Sequence, residues 1–216
     1  MDTHTHSPAP HPPNHHADHR PFRGSSGAAL ALLMAARGGD RAQLALDLTG
    51  VGPGDTVVDL GCGPGTAVRR AARLGATAIG VDPARVMRRV AAALSLGRPS
   101  LGGSRVRFVD GSAEAIPLDD TIATVVWSIA TVHHWQDIDA GLAETRRVLR
   151  PAGRFLAAER HTEADAQGLR SHGWTPEQAE AFAEACRAHG FVDVRVEEHR
   201  MDRVGVLAVL ATAPPS

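Results

Sequence analysis

Two amino acids are missing from this sequence, lysine and tyrosine, and each absence excludes some chemistry. All 23 cationic residues of the 216-residue chain are arginine, so a Schiff base on a lysine amine is excluded. Without tyrosine, any aromatic contact to a substrate must come from tryptophan or phenylalanine. The formal net charge is −1 and the chain contains no basic run, so a nucleic-acid partner has no electrostatic support.

Cysteine is scarce, which argues against a disulfide framework or a zinc site. The two cysteines, Cys62 and Cys186, have neither the C-x-x-C spacing nor the Cys/His spacing of zinc ligands. Cys62 lies among glycines, where a small side chain fits, so packing is favoured over a role as nucleophile. No metal site is predicted.

The first 27 residues have few apolar side chains and hold six of the twelve histidines and five of the fourteen prolines. The six are His4, His6, His11, His15, His16 and His19. Such a segment cannot bury enough surface to offset its ordering entropy, so we predict a disordered tail over residues 1–24 and one domain over residues 25–216. The tail is either solvated or a weak binding site for Zn²⁺, Ni²⁺ or Cu²⁺. We find no signal peptide and no apolar run long enough to span a bilayer, so we expect a cytoplasmic protein.

Strand patterns alternate with helix patterns through the rest of the chain. Helices are predicted at 26–37 and 39–48 and between Asp137 and Pro151; strands are predicted at 55–60, 77–82, 105–110, 123–129, 153–158, 192–198 and 204–212. Alternation of this kind indicates a mostly parallel sheet with helices on both faces. The last two strands are joined by a short turn and must pair antiparallel. The sequence therefore predicts an α/β, Rossmann-like fold with seven strands and a C-terminal antiparallel hairpin.

A glycine-rich loop follows the first strand, with the pattern G-x-G-x-G at Gly61, Gly63 and Gly65. A dinucleotide site requires G-x-G-x-x-G, and here the sixth position is Thr66. Asp59 immediately before the loop would repel a pyrophosphate but attract the ammonium group of a methionine-type ligand. Asp82, at the end of the second strand, stands where a ribose diol would be held. We therefore predict a nucleoside site.

The loop resembles motif I of the class I S-adenosylmethionine-dependent methyltransferases, and the resemblance extends from about residue 30 to residue 213. Residues 108–118 are similar to the adenine-binding segment of the small methyltransferases related to the ubiquinone and menaquinone biosynthesis enzymes. Ser112 replaces the acid of that segment, and a hydroxyl accepts a hydrogen bond without charge. Residues 125–128, His133-His134-Trp135 and residues 142–154 are similar to the following parts of that family.

The resemblance implies S-adenosylmethionine as cofactor and transfer of its methyl group to a small-molecule acceptor, through an O, N, C or S atom that the sequence leaves open. The implied cofactor-binding residues are Asp59, Gly61, Cys62, Gly63, Gly65, Asp82, Pro83, Ser112, Ala113 and Ser128. We expect a monomer or a homodimer.

The candidates for catalysis and for acceptor binding follow strands 4 and 5, where ligands bind in open α/β sheets. His133 and His134 are candidate general bases, needed only if the acceptor carries a proton that must leave; otherwise they shape the cofactor pocket. Trp135, Glu159 and His161 are candidates for contact with the acceptor. Two other functions stay open: a module that binds S-adenosylmethionine without transferring its methyl group, and a metal-handling protein that acts through the histidine-rich tail.

Overall fold

The computed structural model describes residues 24–96, 105–166, 171–201 and 204–216. Its helices are α1 (Gly24–Arg37), α2 (Gly39–Thr49), α3 (Thr66–Arg73), α4 (Arg85–Ser95), α5 (Ile138–Val148) and α6 (Pro176–Ala188). Its strands are β1 (Thr56–Leu60), β2 (Thr77–Val81), β3 (Val106–Val109), β4 (Ala123–Ile129), β5 (Leu149–Arg160), β6 (Val192–Met201) and β7 (Val204–Thr212). The predicted tail, residues 1–24, falls almost wholly outside the described residues.

The seven strands form one sheet in the order β3-β2-β1-β4-β5-β7-β6. The first five strands in this order, β3, β2, β1, β4 and β5, are parallel, and β7 is antiparallel to both β5 and β6. This confirms the predicted mostly parallel sheet with an antiparallel C-terminal hairpin. The strand order reverses between β1 and β4, which is where open α/β sheets bind ligands, outside the carboxyl ends of the strands.

Helices cover both faces of the sheet because successive residues of a buried strand point to opposite sides. Val57 of β1 belongs to the core beneath α2 and α3, whereas Val58 belongs to the core beneath α5 and α6. Trp127 extends the first core and Phe155 extends the second. α1 packs against α4 and α2 rather than into the sheet.

The ends of two helices are set by local hydrogen bonds that the sequence encodes. Asp137 caps α5, since its Oδ1 accepts a hydrogen bond from the N–H of Ala140 at 3.0 Å, as predicted. Thr175 and Gln178 form a capping box at the start of α6. These caps hold the loops before α5 and α6 in one place.

The predicted strands are all present, but two are longer than predicted. β5 begins at Leu149 instead of residue 153, and β6 continues to Met201 instead of residue 198. Both extensions come from pairing with neighbouring strands, because β5 bonds to β4 and β7 while β6 follows β7 to the end of the hairpin. In the residues that the structure describes, no helix is both long enough and apolar enough to cross a membrane.

Candidate functional site

The glycine-rich loop lies at the carboxyl end of β1, beside β4, where the strand order reverses. Gly61 has φ +67° and Gly65 has φ +73°, values that side chains strain to adopt. A Cβ on Gly61 would lie 2.5 Å from Cγ2 of Thr131, and one on Gly65 would lie 2.6 Å from Cε1 of Phe108. Both positions therefore require glycine, for backbone conformation and for space.

Asp82 is joined to this loop by its side chain. Its Oδ2 accepts a hydrogen bond from the N–H of Gly63 at 2.8 Å, and its Oδ1 accepts one from the N–H of Ala84, also at 2.8 Å. Arg88 donates to the backbone carbonyl of Asp82 at 2.6 Å. Burial raises the pKa of the Asp82 carboxyl, and the two backbone donors and Arg88 oppose that rise. The carboxylate is thus fixed in position, and its oxygens retain lone pairs for further donors.

Asp59 is the other carboxyl group beside the loop, and it lacks such support. Its exposed fraction is 3%, and no described residue donates a hydrogen bond to it. Burial, with a smaller contribution from the charge of Asp82, raises its pKa to about 8. A buried carboxyl group without a partner is costly when ionised, and a cationic ligand would remove that cost.

A cavity of about 540 Å³ opens above the loop. Its floor is formed by Asp59, Gly61, Cys62, Gly63, Pro64, Thr66 and Ala67, and one side by Ile129, Ala130 and Thr131 of the chain after β4. Its cover consists of Leu30, Leu33 and Met34 of α1 and of Met201, Val204 and Val206 of the β6–β7 hairpin. Four more lining residues lie at the start of α2: Gly38, Asp40, Arg41 and Ala42. The floor is polar and rich in backbone groups, and the cover is apolar.

The chain after β4 is tied to the end of β1. Thr131 Oγ1 donates to the carbonyl of Leu60 at 2.9 Å and lies 2.7 Å from Oγ of Ser128. Ser128 is fully buried. These bonds place Thr131 against Gly61 and fix the side of the cavity.

The segment similar to an adenine-binding segment is held against α5. Glu144 accepts from the N–H of Ile116 at 2.9 Å, and Arg147 donates to the carbonyls of Leu118 and Ile116. Ser112 is half-buried and Ala113 is buried. These hydrogen bonds hold residues 116–118 of the segment against α5.

His133 forms a pair with Glu159. Nδ1 of His133 lies 3.1 Å from Oε1 and 3.0 Å from Oε2 of Glu159, whose side chain is fully buried. With an ionised Glu159, this bond places a proton on Nδ1 and leaves the lone pair on Nε2. The ring of His134 lies 4.0 Å from that of His133, and the ring of His172 lies 5.1 Å from it. Within the described parts of the chain, no three His, Cys, Asp or Glu side chains form a group suited to a metal ion.

The structure brings together only part of the predicted site. Asp59, Gly61, Cys62 and Gly63 line the cavity, and Asp82 reaches it through Gly63. The cavity wall does not include Gly65, Pro83, Ser112, Ala113, Ser128, His133, His134, Trp135, Glu159 or His161, all of which are described residues. Gly65 is nonetheless part of the loop, and Pro83 follows Asp82 directly.

The three residues predicted to contact the acceptor lie elsewhere. Trp135 packs in the core with its ring centroid 6.0 Å from that of Phe182, and Glu159 is bonded to His133. His161 hydrogen-bonds Oε1 of Glu198 at 2.8 Å. None of these three residues is part of the described cavity wall.

Sequence reasoning did not identify the individual residues of the cover, the part of it that the β6–β7 hairpin supplies, or Arg41. Leu30, Leu33 and Met34 follow i, i+3, i+4 spacing, a signal that marks one face of a helix but does not say what the face covers. Met201 and Val204 come to the cavity from the far end of the chain. Arg41 carries no signal in the sequence, because only the placement of α2 brings it to the cavity.

Comparison with known proteins supports the resemblance to methyltransferases. Residues 58–157 match the family described as a methyltransferase domain. Over 109 residues the chain is 30% identical to the uncharacterized methyltransferase YcgJ of Bacillus subtilis, covering 50% of this chain and 42% of that protein. Over 119 residues it is 33% identical to the ubiquinone/menaquinone biosynthesis C-methyltransferase UbiE of Hahella chejuensis, covering 53% of this chain and 46% of that protein. The matched stretch thus spans about half the length of these relatives.

A solved structure covers more of the chain. A chain of the complex between the Haloferax volcanii Trm112 methyltransferase activator and a putative methyltransferase superimposes with a TM-score of 0.69 at 25% identity. The superposition covers 87% of this chain and 96% of that one. The likeness includes the C-terminal part that lies beyond the matched family region.

Proposed function

We propose that this chain, which belongs to the class I S-adenosylmethionine-dependent methyltransferases, transfers the methyl group of S-adenosylmethionine to a small apolar acceptor. The observation that carries the proposal is the buried Asp59 carboxyl, which has no hydrogen-bond partner among the described residues and lines the floor of the cavity. A cationic amino-acid group is the ligand that such a carboxyl favours.

The residues of the floor fit this cofactor. Gly63 lines the cavity, and only Cε of Met34 lies within 4 Å of the place of its missing Cβ, so the main chain there is open to a ligand. Asp82 is held by two backbone donors and retains acceptor capacity for the two hydroxyl groups of a ribose. Asp59 would take the ammonium group of the methionine end.

When bound, the cofactor supplies an electrophilic methyl group on a sulfonium. The chain has to hold an acceptor in line with that methyl group, and positioning of this kind contributes up to ~7 to 11 kcal/mol to catalysis. The apolar cover, formed by α1 and the β6–β7 hairpin, suits an apolar acceptor and keeps water away from it. The limited volume of about 540 Å³ supports a small molecule rather than a macromolecule.

Where the acceptor carries a proton, we propose that His133 removes it and that Glu159 orients the ring. His133 follows β4 outside the described cavity wall, so the proposal requires an acceptor that extends beyond that wall. Nδ1 of His133 is hydrogen-bonded to Glu159, and among the described residues no hydrogen bond is made to Nε2 of the same ring. Nε2 is therefore the nitrogen that takes the proton. A positioned base of this kind contributes typically ~10²- to 10⁴-fold. The neighbouring His134 is exposed, and its ring lies 4.0 Å from that of His133.

The overall proposal is tested by two measurements. Calorimetry should show binding of S-adenosylhomocysteine, and methyl-labelled S-adenosylmethionine should transfer label to at least one member of a panel of phenols, quinols, amines and thiols. Binding without transfer to any acceptor would favour the cofactor-binding module that acts without catalysis. Binding of NADH and no binding of S-adenosylhomocysteine would overturn the proposal.

The base is tested once an acceptor is known. We expect His133→Gln to lower turnover by roughly 10²-fold or more while the Kd of S-adenosylhomocysteine stays unchanged, because a base acts on the transition state. His199→Gln is the matched control, since His199 also pairs with a glutamate, Glu197 at 3.0 Å, but lies on β6 and not after β4. Unchanged turnover in the His133 variant, or loss of cofactor binding in step with turnover, would remove His133 as base.

We also propose that the protein acts as a monomer or homodimer and without a nucleic-acid partner; the net charge of −1 supports the second part. Light scattering gives the oligomeric state. A shift of labelled RNA or DNA at low salt would contradict the second part. Cytoplasmic location stays a prediction, and metal handling by the histidine-rich tail concerns residues outside the described ranges.

A further inference from the structure

Two neighbouring helices, α1 and α4, form a part of the surface that is both cationic and apolar. Together they contain four arginines and no aspartate or glutamate. The two helices pack against each other, so the side chains that they expose belong to one region of the surface. The net charge of the whole chain is −1, but residues 61–113, which include α4, contain nine arginines and only two acidic residues. The positive charge is therefore concentrated in this part of the chain.

The cationic part of this region lies on the exposed side of α4. Arg85 and Arg89 are exposed and one helical turn apart, on the side opposite to the buried Met87. Neither arginine forms an ion pair with a residue in the described ranges, whereas Arg88 pairs with Asp110. Two guanidinium groups are thus available to an anionic partner.

The apolar part comes from α1 and from the end of α4. Four large apolar side chains of α1 are exposed: Leu30, Leu32, Leu33 and Met34. Leu96, directly after α4, is 79% exposed. Leu32 and Leu96 are not part of the cavity wall, so an acceptor in the cavity does not account for their exposure. Grouped exposed side chains of this kind are typical of a surface that contacts another apolar surface.

We use the name α1–α4 surface for Leu32, Arg85, Arg89 and Leu96. Its partner has to offer negative charge to the arginines and an apolar phase to the leucines. A second copy of the chain does not, because a twofold axis through the surface would bring the arginines of the two copies together. A nucleic acid offers the charge, but its bases stack on aromatic side chains. The exposed large hydrophobic residues in the described parts of the chain are Leu, Met and Val.

We propose that the α1–α4 surface binds an anionic lipid bilayer, with Arg85 and Arg89 at the headgroups and Leu32 and Leu96 at the boundary with the acyl chains. Basic and apolar side chains in this combination hold a helix in the plane of the bilayer surface without spanning it. Because Leu33 of α1 lines the cavity, the bilayer lies beside the cover that faces the acceptor. That link to the acceptor rests on the proposed function, whereas binding to the bilayer does not.

Vesicle sedimentation with the full chain tests the proposal. Binding is measured to vesicles of phosphatidylcholine alone and to vesicles with about one third phosphatidylglycerol, at ~0.1 M NaCl and about pH 8. At that pH, histidines with an ordinary pKa of about 6.5 are neutral, so the histidine-rich tail adds little charge. We expect at least roughly tenfold tighter binding to the anionic vesicles, because each arginine near such a surface is worth about fivefold in affinity.

Charge and apolar contact are removed separately. The double variant Arg85→Gln, Arg89→Gln should weaken binding to the anionic vesicles by about ten- to thirtyfold. Leu32→Gln should weaken it by roughly three- to tenfold through lost apolar burial. Raising NaCl to about 0.5 M should reduce the arginine effect more than the leucine effect, because salt screens charge. The Tm should stay within about two degrees, since all three side chains are exposed.

The double variant Arg105→Gln, Arg107→Gln is the matched control for charge. Both arginines are exposed, but Arg107 lies between Val106 and Phe108, which point into the core beneath α2 and α3, so its side chain points to the other face of the sheet. Leu74→Gln is the matched control for apolar contact, since Leu74 is exposed directly after α3. Both controls should bind the anionic vesicles within about threefold of the unchanged chain.

The proposal is overturned if the full chain binds anionic vesicles no better than phosphatidylcholine vesicles, or if the charge control loses as much binding as the Arg85 and Arg89 variant. Binding to a DNA duplex or to polyglutamate in place of vesicles would assign the surface to a nucleic acid or to an acidic protein, and would also overturn it. Vesicles contain neither cofactor nor acceptor. A chain that binds them through the α1–α4 surface but does not bind S-adenosylhomocysteine would therefore support the bilayer proposal while the proposed function fails.

Discussion

The floor and the cover of the cavity differ in how far apart their residues lie in the chain. The floor comes from one continuous segment, residues 59–67, whose glycines, acid and preceding strand are consecutive in the sequence. The cover joins α1, near residue 30, to the β6–β7 hairpin, near residue 204, and its side chains are apolar. Under the proposed function, a local motif binds the charged end of the cofactor, whereas a surface of distant residues faces the acceptor.

This difference assigns separate tasks to the two regions. Changes in the floor should alter cofactor binding, because the floor supplies fixed backbone and carboxyl groups. Changes in the cover should alter acceptor binding and leave the cofactor alone. Variants in each region test that separation.

The largest effect is expected from Gly61→Ala in the floor. Its Cβ would lie 2.5 Å from the side chain of Thr131, and relieving an overlap of this kind costs roughly 1 to 3 kcal/mol. We expect S-adenosylhomocysteine affinity to fall by up to roughly a hundredfold, because the loop that touches the ligand has to move. Gly54→Ala is the control: Gly54 also has positive φ, but nothing lies within 4 Å of its Cβ position. Equal effects in calorimetry would contradict the steric argument.

Asp82→Ala should weaken S-adenosylhomocysteine binding by roughly tenfold or more, because hydrogen bonds to a charged group are worth ~1.5 to 3 kcal/mol. Asp110→Ala removes a nearby carboxylate that is 73% exposed in its side chain and bonds Arg88. Titration of both variants should show the loss only for Asp82. A loss of the same size at Asp110 would mean that general negative charge, and not a ribose contact, explains the effect.

Cofactor affinity should rise with pH below about 8, because burial and Asp82 raise the pKa of Asp59 to about 8 in the ligand-free protein. A ligand ammonium favours the ionised acid, so binding at pH 6 to 8 releases a proton and gains up to about tenfold per pH unit. Calorimetry in buffers of different ionisation enthalpy measures that proton. Asp59→Asn should bind more weakly and without this slope, and a slope that persists would assign the proton to another group.

The raised pKa of Asp59 also makes the stability of the ligand-free protein depend on pH. The favourable contribution of protonated Asp59 to the free energy of unfolding is fully present below its unfolded-state pKa of about 3.9. It is lost as pH rises through about 8, because the folded state resists ionisation of this carboxyl group. Asp59→Asn should therefore raise the Tm of the ligand-free protein most at alkaline pH. A variant that is less stable than the unchanged chain at pH 9 would contradict this reasoning.

The smallest effect is expected in the cover, where Leu33→Ala should raise the acceptor KM about fivefold. Leu33 is 45% exposed, so its truncation removes roughly 1 kcal/mol of apolar contact. Leu32→Ala is the matched control, since Leu32 is 53% exposed on the same helix but does not line the cavity. The Kd of S-adenosylhomocysteine should stay within twofold in both variants. A change in that Kd would show that the cover also touches the cofactor.

Much of the fold and of the floor could be predicted because the signals are local. The strand patterns, the cap at Asp137 and the G-x-G-x-G loop each involve neighbouring residues, and their positions agree with the structure. The extra length of β5 and β6 could not be predicted, because it depends on hydrogen bonds to strands that are distant in sequence. The pairing of His133 with Glu159 was missed for the same reason, since 26 residues separate them.

The βαβ order, the glycine-rich turn, the acid within β1 and the acid after β2 can all be read from the sequence alone, because period-two burial and glycine conformation are properties of short segments. Three features depend on the assembled fold: Asp59 has no hydrogen-bond partner among the described residues while Asp82 has two, Arg41 and Asp59 line one cavity, and Trp135 packs in the core. Burial, solvation and charge pairing depend on which distant segments meet, so they arise only when the sheet and its cover are assembled.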